Sequence, residues 1–443
     1  MLANFKSSKE EYYLMKQKFF TIWAAALFLM ITFFTLPVGS FSIPLEVTHT
    51  LQYTVRVYWQ GRFYPDSTRI RLEISDIPIP TEYQTVTANL QDGRLENVNG
   101  KPVWVIEKYM REVPYTVITF TGTFVVSVDL RNVPEIPHIP VEPIVGMQEY
   151  LQPDDRVTLS PQVVSLAREI VTGTENDLPS IITSFVEWIQ RNITYSPQLG
   201  GDVKLKDYEI IQMKAGVCDE FATLFIAFCR SVGIPARYVQ GYSVENENLN
   251  RKLETGHAWA EVWIPERGWL PVDPTWVDLG NAKKFVTGGE GVHYRYWGAP
   301  PGSGITKVEY AVTPIGWQFL YELENSVILS GEQTENGWRV SIANVSSVPL
   351  LDNLIVKRYV EEYERYEDVQ GWPKLIFLNP GENLSFEVGQ FDYGWAYSRL
   401  GGSINLWKPQ EIPFLPTEQM FWIALAVLIV LLSVTVAMVV RRR

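Results

Sequence analysis

Cysteine is scarce in this sequence, because only Cys218 and Cys229 occur among its 443 residues. Histidine is almost as rare, and no CxxC motif is present. The four histidines are scattered along the chain at His49, His138, His257 and His293. This pattern excludes an obvious zinc site, and we expect no metal ion and no other cofactor. The two cysteines are either bonded to each other or chemically distinct.

Basic patches are also missing. The 38 Lys and Arg residues are outnumbered by 50 Asp and Glu residues, the net charge is -12, and no basic stripe occurs outside the termini. This balance argues against a nucleic-acid partner. Apolar residues are not lacking, since 46% of the chain is hydrophobic and 13% is aromatic. Such a composition is typical of globular, β-rich domains, and the length predicts two to four of them.

Charge is absent from two apolar segments that are long enough to cross a bilayer, residues 19–39 and 420–440. Lys16 and Lys18 precede the first segment, and three arginines follow the second at 441–443. The positive-inside rule therefore predicts cytoplasmic tails at 1–18 and 441–443, with the main domains outside the cell membrane. Segment 19–39 is a membrane anchor or a cleaved signal sequence, and its long apolar core favours the anchor. Segment 420–440 is a transmembrane helix, so the lipid bilayer is an expected partner.

Hydrophobic periodicity divides the remaining chain into three domains. Residues 45–133 alternate apolar and polar side chains, as in "LQYTVRVYW", and predict an antiparallel β domain. Residues 134–149 form a linker with a proline at every third position from Pro134 to Pro143, which predicts an extended polyproline spacer; a ligand for a proline-binding domain is the alternative. Residues 150–304 begin with helical periodicity and continue as strands. Residues 305–412 return to β character and predict a β-sandwich domain.

The two cysteines lie on one predicted helix, which begins near Cys218 and ends before Gly233. Eleven residues of helix separate them by roughly 16 Å, whereas a disulfide requires Cα atoms within about 7 Å. Cys229 falls among apolar residues and is expected to be a buried hydrophobe. Cys218 falls in the first turn, where the helix dipole favours a thiolate. The next two residues, Asp219 and Glu220, are acidic and oppose a second negative charge. A reactive Cys218 therefore requires a cationic neighbour.

His257 and Asp273 are the candidates for that neighbourhood. They are 16 residues apart in a strand-turn-strand pattern, and they stand opposite each other if the turn is centred on Pro265. An even spacing about such a turn places both side chains on one face. Asp273 can then orient His257, which can take a proton from Cys218. Alone, His257 is more often a hydrogen-bonded strand histidine and Asp273 a turn cap; together with Cys218 they favour a catalytic triad.

These residues lie in motifs that resemble the transglutaminase-like superfamily. "GVCDEFATLFIAFCRSVGIPARYVQGY" and "GHAWAEVWIPERGWLPVDPTW" carry the resemblance over roughly residues 150–280. It implies an α+β fold with a papain-type core, as in a membrane-anchored prokaryotic member. The periodicity and the two apolar segments add two flanking antiparallel β domains and a transmembrane helix at each end. The resemblance also implies Cys218 as nucleophile, His257 as base and Asp273 as orienting group. Tyr195 and Gln212 are weak candidates for the second oxyanion donor, and no counterpart of the animal enzymes' calcium sites is visible.

The resemblance implies attack on a peptide or protein amide and a thioester intermediate, which water or an amine then releases. Sequence alone does not separate hydrolysis from acyl transfer, although the lack of calcium sites slightly favours hydrolysis. A non-catalytic cell-surface scaffold, which uses the central domain only for binding, is the alternative function. The complete set of three candidate catalytic residues argues against it.

Overall fold

The computed structural model describes residues 42–407, except 99, 111–116, 143, 175, 201–203, 248–249, 254–255, 290 and 325. The predicted membrane segments 19–39 and 420–440, and the tails 1–18 and 441–443, lie outside this part of the chain. Within the described residues, no helix combines the length and the apolarity that a membrane span requires. The described part is rich in antiparallel sheet and carries four α-helices, all of them in its central region, which agrees with the predicted α+β class.

The first β unit begins with the strands that the alternating pattern predicts. The inward positions of "LQYTVRVYW", from Leu51 to Trp59, are at most 4% exposed. The rings of Tyr53 and Trp104 both pack edge-on against Phe124, at centroid distances of 4.9 and 6.2 Å, which joins two sheets face to face. The strands are β1 (Ser42–Gln60), β2 (Arg69–Ile74), β3 (Gln84–Leu90), β4 (Arg94–Val98), β5 (Lys101–Tyr109) and β6 (Val117–Asp129).

The central core packs helices against a mostly antiparallel sheet. Ser160 accepts a hydrogen bond from the amide of Val163 and caps the first helix, as its position before a proline predicts. The α-helices are α1 (Pro161–Ile170), α2 (Leu178–Asn192), α3 (Asp207–Met213) and α4 (Cys218–Ser231). The strands are β7 (Thr194–Tyr195), β8 (Ala215–Gly216), β9 (Ala236–Glu247), β10 (Asn250–Leu253), β11 (His257–Ile264), β12 (Gly268–Val272) and β13 (Lys284–Val286).

Helix α4 is the most buried helix of this core. Phe228 packs against Phe185 and Trp188 of α2, with ring centroids 5.4 and 5.3 Å apart. Strand β9 lies between β10 and β11, β12 follows β11, and β13 also pairs with β9. The apolar stripe of α4 therefore buries one face of the sheet that carries His257.

The first β unit is completed by strands that follow the core in sequence. These are β14 (Val292–Trp297), which pairs with β2, and β15 (Gly304–Glu324), which pairs with β1 along the whole length of β1. The two sheets have the orders β15-β1-β6-β3 and β14-β2-β5-β4. The sequence analysis assigned residues from 305 onward to the C-terminal domain. In the structure, β15 pairs instead with β1 of the first β unit. Hydrophobic alternation identifies a strand but does not identify its partner.

The second β unit contains the remaining strands, which are β16 (Val327–Thr334), β17 (Gly337–Asn344), β18 (Leu350–Val360), β19 (Arg365–Asp368), β20 (Lys374–Leu378), β21 (Asn383–Val388), β22 (Tyr393–Ser398) and β23 (Ser403–Trp407). They form two sheets of order β16-β17-β21 and β19-β18-β22-β23, and β20 pairs with β18. Short 3-10 helices span Leu130–Asn132, Gln148–Leu151, Pro197–Leu199 and Glu361–Tyr363.

The proline-rich segment 134–149 is packed against both neighbouring units rather than projecting as a free spacer. Asn379 of the second β unit accepts from the amide of Ile136 at 3.0 Å and donates to its carbonyl at 2.8 Å. His138 lies between Asp177 and Glu382, at 2.6 and 2.9 Å. Ile136 is fully buried. The segment therefore joins the core to the second β unit.

We expect Asn379→Ala to destabilise the protein by about 1–3 kcal/mol, because it leaves the buried amide and carbonyl of Ile136 without partners. Denaturant unfolding followed by tryptophan fluorescence measures the loss. Asn383→Ala is the matched control, since Asn383 is exposed on the same unit and its replacement is expected to cost less than about 0.5 kcal/mol. Equal stability of the two variants would contradict the assigned role of Asn379.

Candidate active site

Cys218 is the first residue of α4, as the sequence predicts. The preceding Gly216 is needed because a Cβ there would collide with the side chain of Glu220. Glu220 in turn accepts a hydrogen bond from the amide of Val217 at 2.9 Å and closes the start of the helix. The first turn leaves backbone N–H groups without intrahelical acceptors, which makes the amides at Cys218 suitable for binding an oxyanion.

The hairpin that carries His257 and Asp273 has a register different from the predicted one. Ile264 pairs with Gly268 and Ala260 with Val272, so the turn is centred on Glu266 and not on Pro265. Glu266 adopts a left-handed φ of 61°, which the sequence pattern does not reveal. Relative to the predicted register, each residue of one strand pairs with a residue two positions further along the other strand. A shift by two keeps the side chains of His257 and Asp273 on the same face of the sheet. His257 Nε2 and Asp273 Oδ2 lie 2.7 Å apart.

Asp273 is fully buried and accepts four hydrogen bonds. Oδ2 accepts from His257 and from the ammonium of Lys284, the latter at 2.6 Å. Oδ1 accepts from the amides of Thr275 and Trp276 at 2.9 and 3.1 Å. Burial alone would raise the pKa of Asp273, but Lys284 and His257 outweigh it and hold that pKa below its usual range. The carboxylate is thus fixed in position and stays ionised.

Lys284 is the buried cation of this site. Its Nζ also donates to Asp278 at 2.8 Å and lies 5.3 and 5.1 Å from the ring centres of Trp259 and Trp276. Burial would lower the pKa of Lys284, but Asp273 and Asp278 outweigh it and raise that pKa. Lys284 therefore stays an ammonium. The sequence analysis did not identify it, because a single lysine eleven residues after Asp273 forms no recognisable pattern.

The ring of His257 is held on its face as well as at its edge. Trp276 stacks on it with ring centroids 4.0 Å apart and planes 10° apart. His257 itself is 7% exposed. Trp276 belongs to the quoted "DPTW" motif, but its contact with His257 was not predicted. The stacking and the bond to Asp273 together fix the orientation of the imidazole.

The sulfur of Cys218 lies against the strand that carries His257. It accepts a hydrogen bond from the backbone amide of Ala258, the residue after His257. Burial raises the pKa of the Cys218 thiol to about 11, and Asp219 and Asp273 add to the increase while the Ala258 amide opposes it. The resting group is therefore a thiol. Cys229 is fully buried in the core, and both cysteines are free, as predicted.

Asp219, which the sequence analysis treated as an obstacle to a thiolate, has its own partners. Its carboxylate accepts from the hydroxyl of Tyr238 at 2.9 Å and forms an ion pair with Arg156 at 3.4 Å. The guanidinium of Arg156 also lies over the ring of Tyr238, 4.5 Å from its centre. Arg156 thus compensates the charge of the acidic residue next to Cys218.

The two weak candidates for an oxyanion donor occupy different positions. Tyr195 pairs in parallel with Gly216, two residues before Cys218, and its ring packs edge-on against Phe221 at 5.9 Å. These contacts place Tyr195 beside the start of α4, and 49% of the residue is exposed. Gln212 lies exposed on α3. The position of Tyr195 keeps it a candidate donor, whereas nothing in the position of Gln212 supports that role.

A cavity of about 210 Å³ opens beside His257. Its lining includes Arg156, Asp219 and, from the first β unit, Asp76. Lys204 lies exposed at its rim. Among the described residues, no group of three or more His, Cys, Asp or Glu side chains is arranged to hold a metal ion. The cavity is a polar cleft that leads to the imidazole.

Comparison with known proteins identifies the region that contains this site. The pattern of the Transglutaminase-like superfamily matches residues 164–274. An uncharacterized protein of Mycobacterium leprae is 26% identical over 199 residues, which cover 43% of this chain and 69% of that protein. A protein-glutamine gamma-glutamyltransferase of Pseudomonas aeruginosa is 36% identical over 89 residues, which cover 19% of this chain and only 13% of the relative.

A solved structure is also similar, the periplasmic domain of TgpA from Pseudomonas aeruginosa. It has 18% identity and a TM-score of 0.32, and the match covers 51% of this chain and 88% of that domain. The match to the superfamily pattern begins in α1 and ends just after Asp273, so it includes the first turn of α4 and both strands of the hairpin. This chain therefore carries a transglutaminase-like domain, and Cys218, His257 and Asp273 lie within it.

Proposed function

We propose that this protein is a cysteine enzyme that acts on peptide or protein amides, with Cys218 as nucleophile, His257 as base and Asp273 as orienting carboxylate. One observation carries the proposal. Asp273 binds His257 at 2.7 Å, and the residue after His257 donates its amide to the sulfur of Cys218. The thiol thus lies beside the strand that carries the imidazole, and the imidazole is bound to an ionised carboxylate. These are the three groups that thiol acyl transfer requires.

The reaction begins from a neutral thiol, because burial raises the pKa of Cys218. As the sulfur of Cys218 attacks the amide carbon, His257 takes the thiol proton and Asp273 stabilises the resulting imidazolium. The amides of the first turn of α4 bind the oxyanion. His257 then gives the proton to the leaving amine, the C–N bond breaks and a thioester remains on Cys218. Water or a second amine attacks the thioester, and the thiol is restored.

Hydrolysis and acyl transfer share this acyl-enzyme and differ in the group that reaches it. The name of the Pseudomonas aeruginosa relative supports acyl transfer to an amine, although the alignment covers 13% of that protein. We further propose that the enzyme is held in the cell membrane by segments 19–39 and 420–440 and acts on substrates outside it. The uncharged length of both segments supports this location.

We expect Cys218→Ala to abolish turnover of a glutamine-containing peptide, by at least about a thousandfold, because it removes the nucleophile. Incubation with a labelled primary amine measures acyl transfer, and mass spectrometry measures cleavage or deamidation. Cys229→Ala is the matched control, since Cys229 is buried away from the cleft, and it is expected to keep activity. Turnover that survives in folded Cys218→Ala would exclude this nucleophile, and an unchanged cellular role would favour a scaffold.

The thiol of Cys218 is expected to react with iodoacetamide about tenfold faster for each pH unit between pH 7 and 10, because only the thiolate is alkylated and its pKa is raised to about 11. Mass spectrometry of the labelled peptide measures the rate at each pH. A rate that is already constant from pH 6 upward would instead indicate a preformed thiolate–imidazolium pair.

Lys284→Met is expected to destabilise the protein by about 3–5 kcal/mol and to lower kcat, because it leaves Asp273 and Asp278 without their buried cation. Adding Asp278→Asn removes one of the two carboxylates and is expected to recover part of the stability. Thermal unfolding and peptide turnover measure both variants. If Lys284→Met alone is as stable as the wild type, the ammonium does not hold Asp273 in place.

A further inference from the structure

Asp76 is a second buried carboxylate in the cleft, and it belongs to the first β unit rather than to the core. It follows β2 and is 4% exposed. Its Oδ1 accepts from Thr287 at 2.7 Å, and its Oδ2 accepts from the phenol of Tyr310 at 2.7 Å and from that of Tyr242. Every contact uses a carboxylate oxygen as acceptor, which is the pattern of an ionised carboxylate.

The donors to Asp76 are all neutral. Burial, reinforced by Asp76, raises the pKa of both Tyr242 and Tyr310, so they remain hydroxyl donors. Among the described residues, no Lys, Arg or His forms an ion pair with Asp76. Two described cations line the cavity together with Asp76: Arg156 pairs with Asp219, and Lys204 lies exposed at the rim and forms no ion pair with Asp76. The buried ammonium of Lys284 pairs with Asp273. Asp76 is therefore a buried carboxylate in an open cavity, and no cation of the described residues forms an ion pair with it.

A buried carboxylate without a cation is unfavourable, and a cationic ligand that enters the cavity relieves that cost. Asp76 lines the same cavity as His257, so a ligand in the cleft can reach both. Gly241 in β9 pairs with His257 on one side and with Val286 on the other, and residues 77–79 continue beside Val286. With strands about 4.8 Å apart, Asp76 lies roughly 10–15 Å from His257.

We propose that Asp76 forms a specificity subsite for an ammonium group of the substrate, which rests on the proposed function of Cys218. Extended peptide advances about 3.3 Å per residue, and a lysine side chain covers part of the span. The subsite therefore receives a lysine two to four residues from the amide that Cys218 attacks. An ammonium bound there is too far from the thioester to be the acceptor amine, so the subsite selects the acyl donor.

The test uses affinity labels and needs no knowledge of the natural substrate. Bromoacetyl-Gly-Gly-lysine amide and bromoacetyl-Gly-Gly-norleucine amide deliver the same electrophile to Cys218 and differ only in the ammonium. Both reagents are used to label Cys218 of the full chain. We expect the concentration that gives the half-maximal labelling rate to be about tenfold lower for the lysine reagent than for the norleucine reagent. The maximal rates should be similar. Mass spectrometry identifies the labelled cysteine.

Two variants separate the charge of Asp76 from its structural hydrogen bonds. Asp76→Asn is expected to bring the ratio between the two reagents to within about twofold. Tyr310→Phe removes one hydrogen bond to the same carboxylate but keeps its charge, and it should retain the ratio. Thermal unfolding of both variants verifies that they fold.

Other outcomes overturn the proposal in distinguishable ways. Equal half-maximal concentrations in the wild type mean that no ammonium subsite exists. If Asp76→Asn slows labelling by both reagents to the same extent, Asp76 only joins the β unit to the core. If the preference for the lysine reagent is lost in Tyr310→Phe but kept in Asp76→Asn, the phenol of Tyr310 and not Asp76 recognises the ammonium. If neither reagent labels Cys218 in the wild type, the proposed nucleophile is wrong and the subsite falls with it.

Discussion

The buried contact between Asp273 and Lys284 is the interaction on which the rest of the site depends. An isolated carboxylate in the protein interior is strongly disfavoured, and Asp273 is fully buried. Lys284 supplies the opposite charge at 2.6 Å, and the amides of Thr275 and Trp276 occupy the second oxygen. Because Oδ2 is shared between Lys284 and His257, the carboxylate cannot turn away from the imidazole without losing its cation. The orientation of the imidazole is thereby fixed.

The same network explains why the core and the first β unit are built together. Lys284 begins β13, which pairs with β9, and β9 pairs with the strand of His257. On its other side, Val286 accepts from the amide of Ile79, and Ile77 accepts from Gly288. The sheet of the core is thus continued by residues of the first β unit. Strand β15 returns the chain along β1 after the core, so this unit is formed by segments on both sides of the transglutaminase-like domain.

The parts of this arrangement that follow from local sequence could be predicted. The start of α4 at Cys218 and the shared face of His257 and Asp273 depend on helix and strand periodicity, which a single sequence records. The exact turn did not follow, because Glu266 adopts a left-handed conformation that glycine or asparagine would ordinarily occupy. Lys284 and Asp76 also escaped prediction. Their roles arise from strand pairings and from contacts between distant segments, which leave no periodic pattern.

Opposing electrostatic effects act on Cys218. The helix start and the Ala258 amide favour a thiolate, whereas burial, Asp219 and Asp273 disfavour it and prevail, so the pKa is raised to about 11. In the proposed mechanism the thiol proton moves to the imidazole during the attack, and the imidazole then needs a carboxylate that stabilises its charge without taking the proton. Lys284 lowers the pKa of Asp273 and so makes that carboxylate a poor proton acceptor. In that mechanism the buried lysine is part of the reason that the imidazole, and not the carboxylate, would serve as the base.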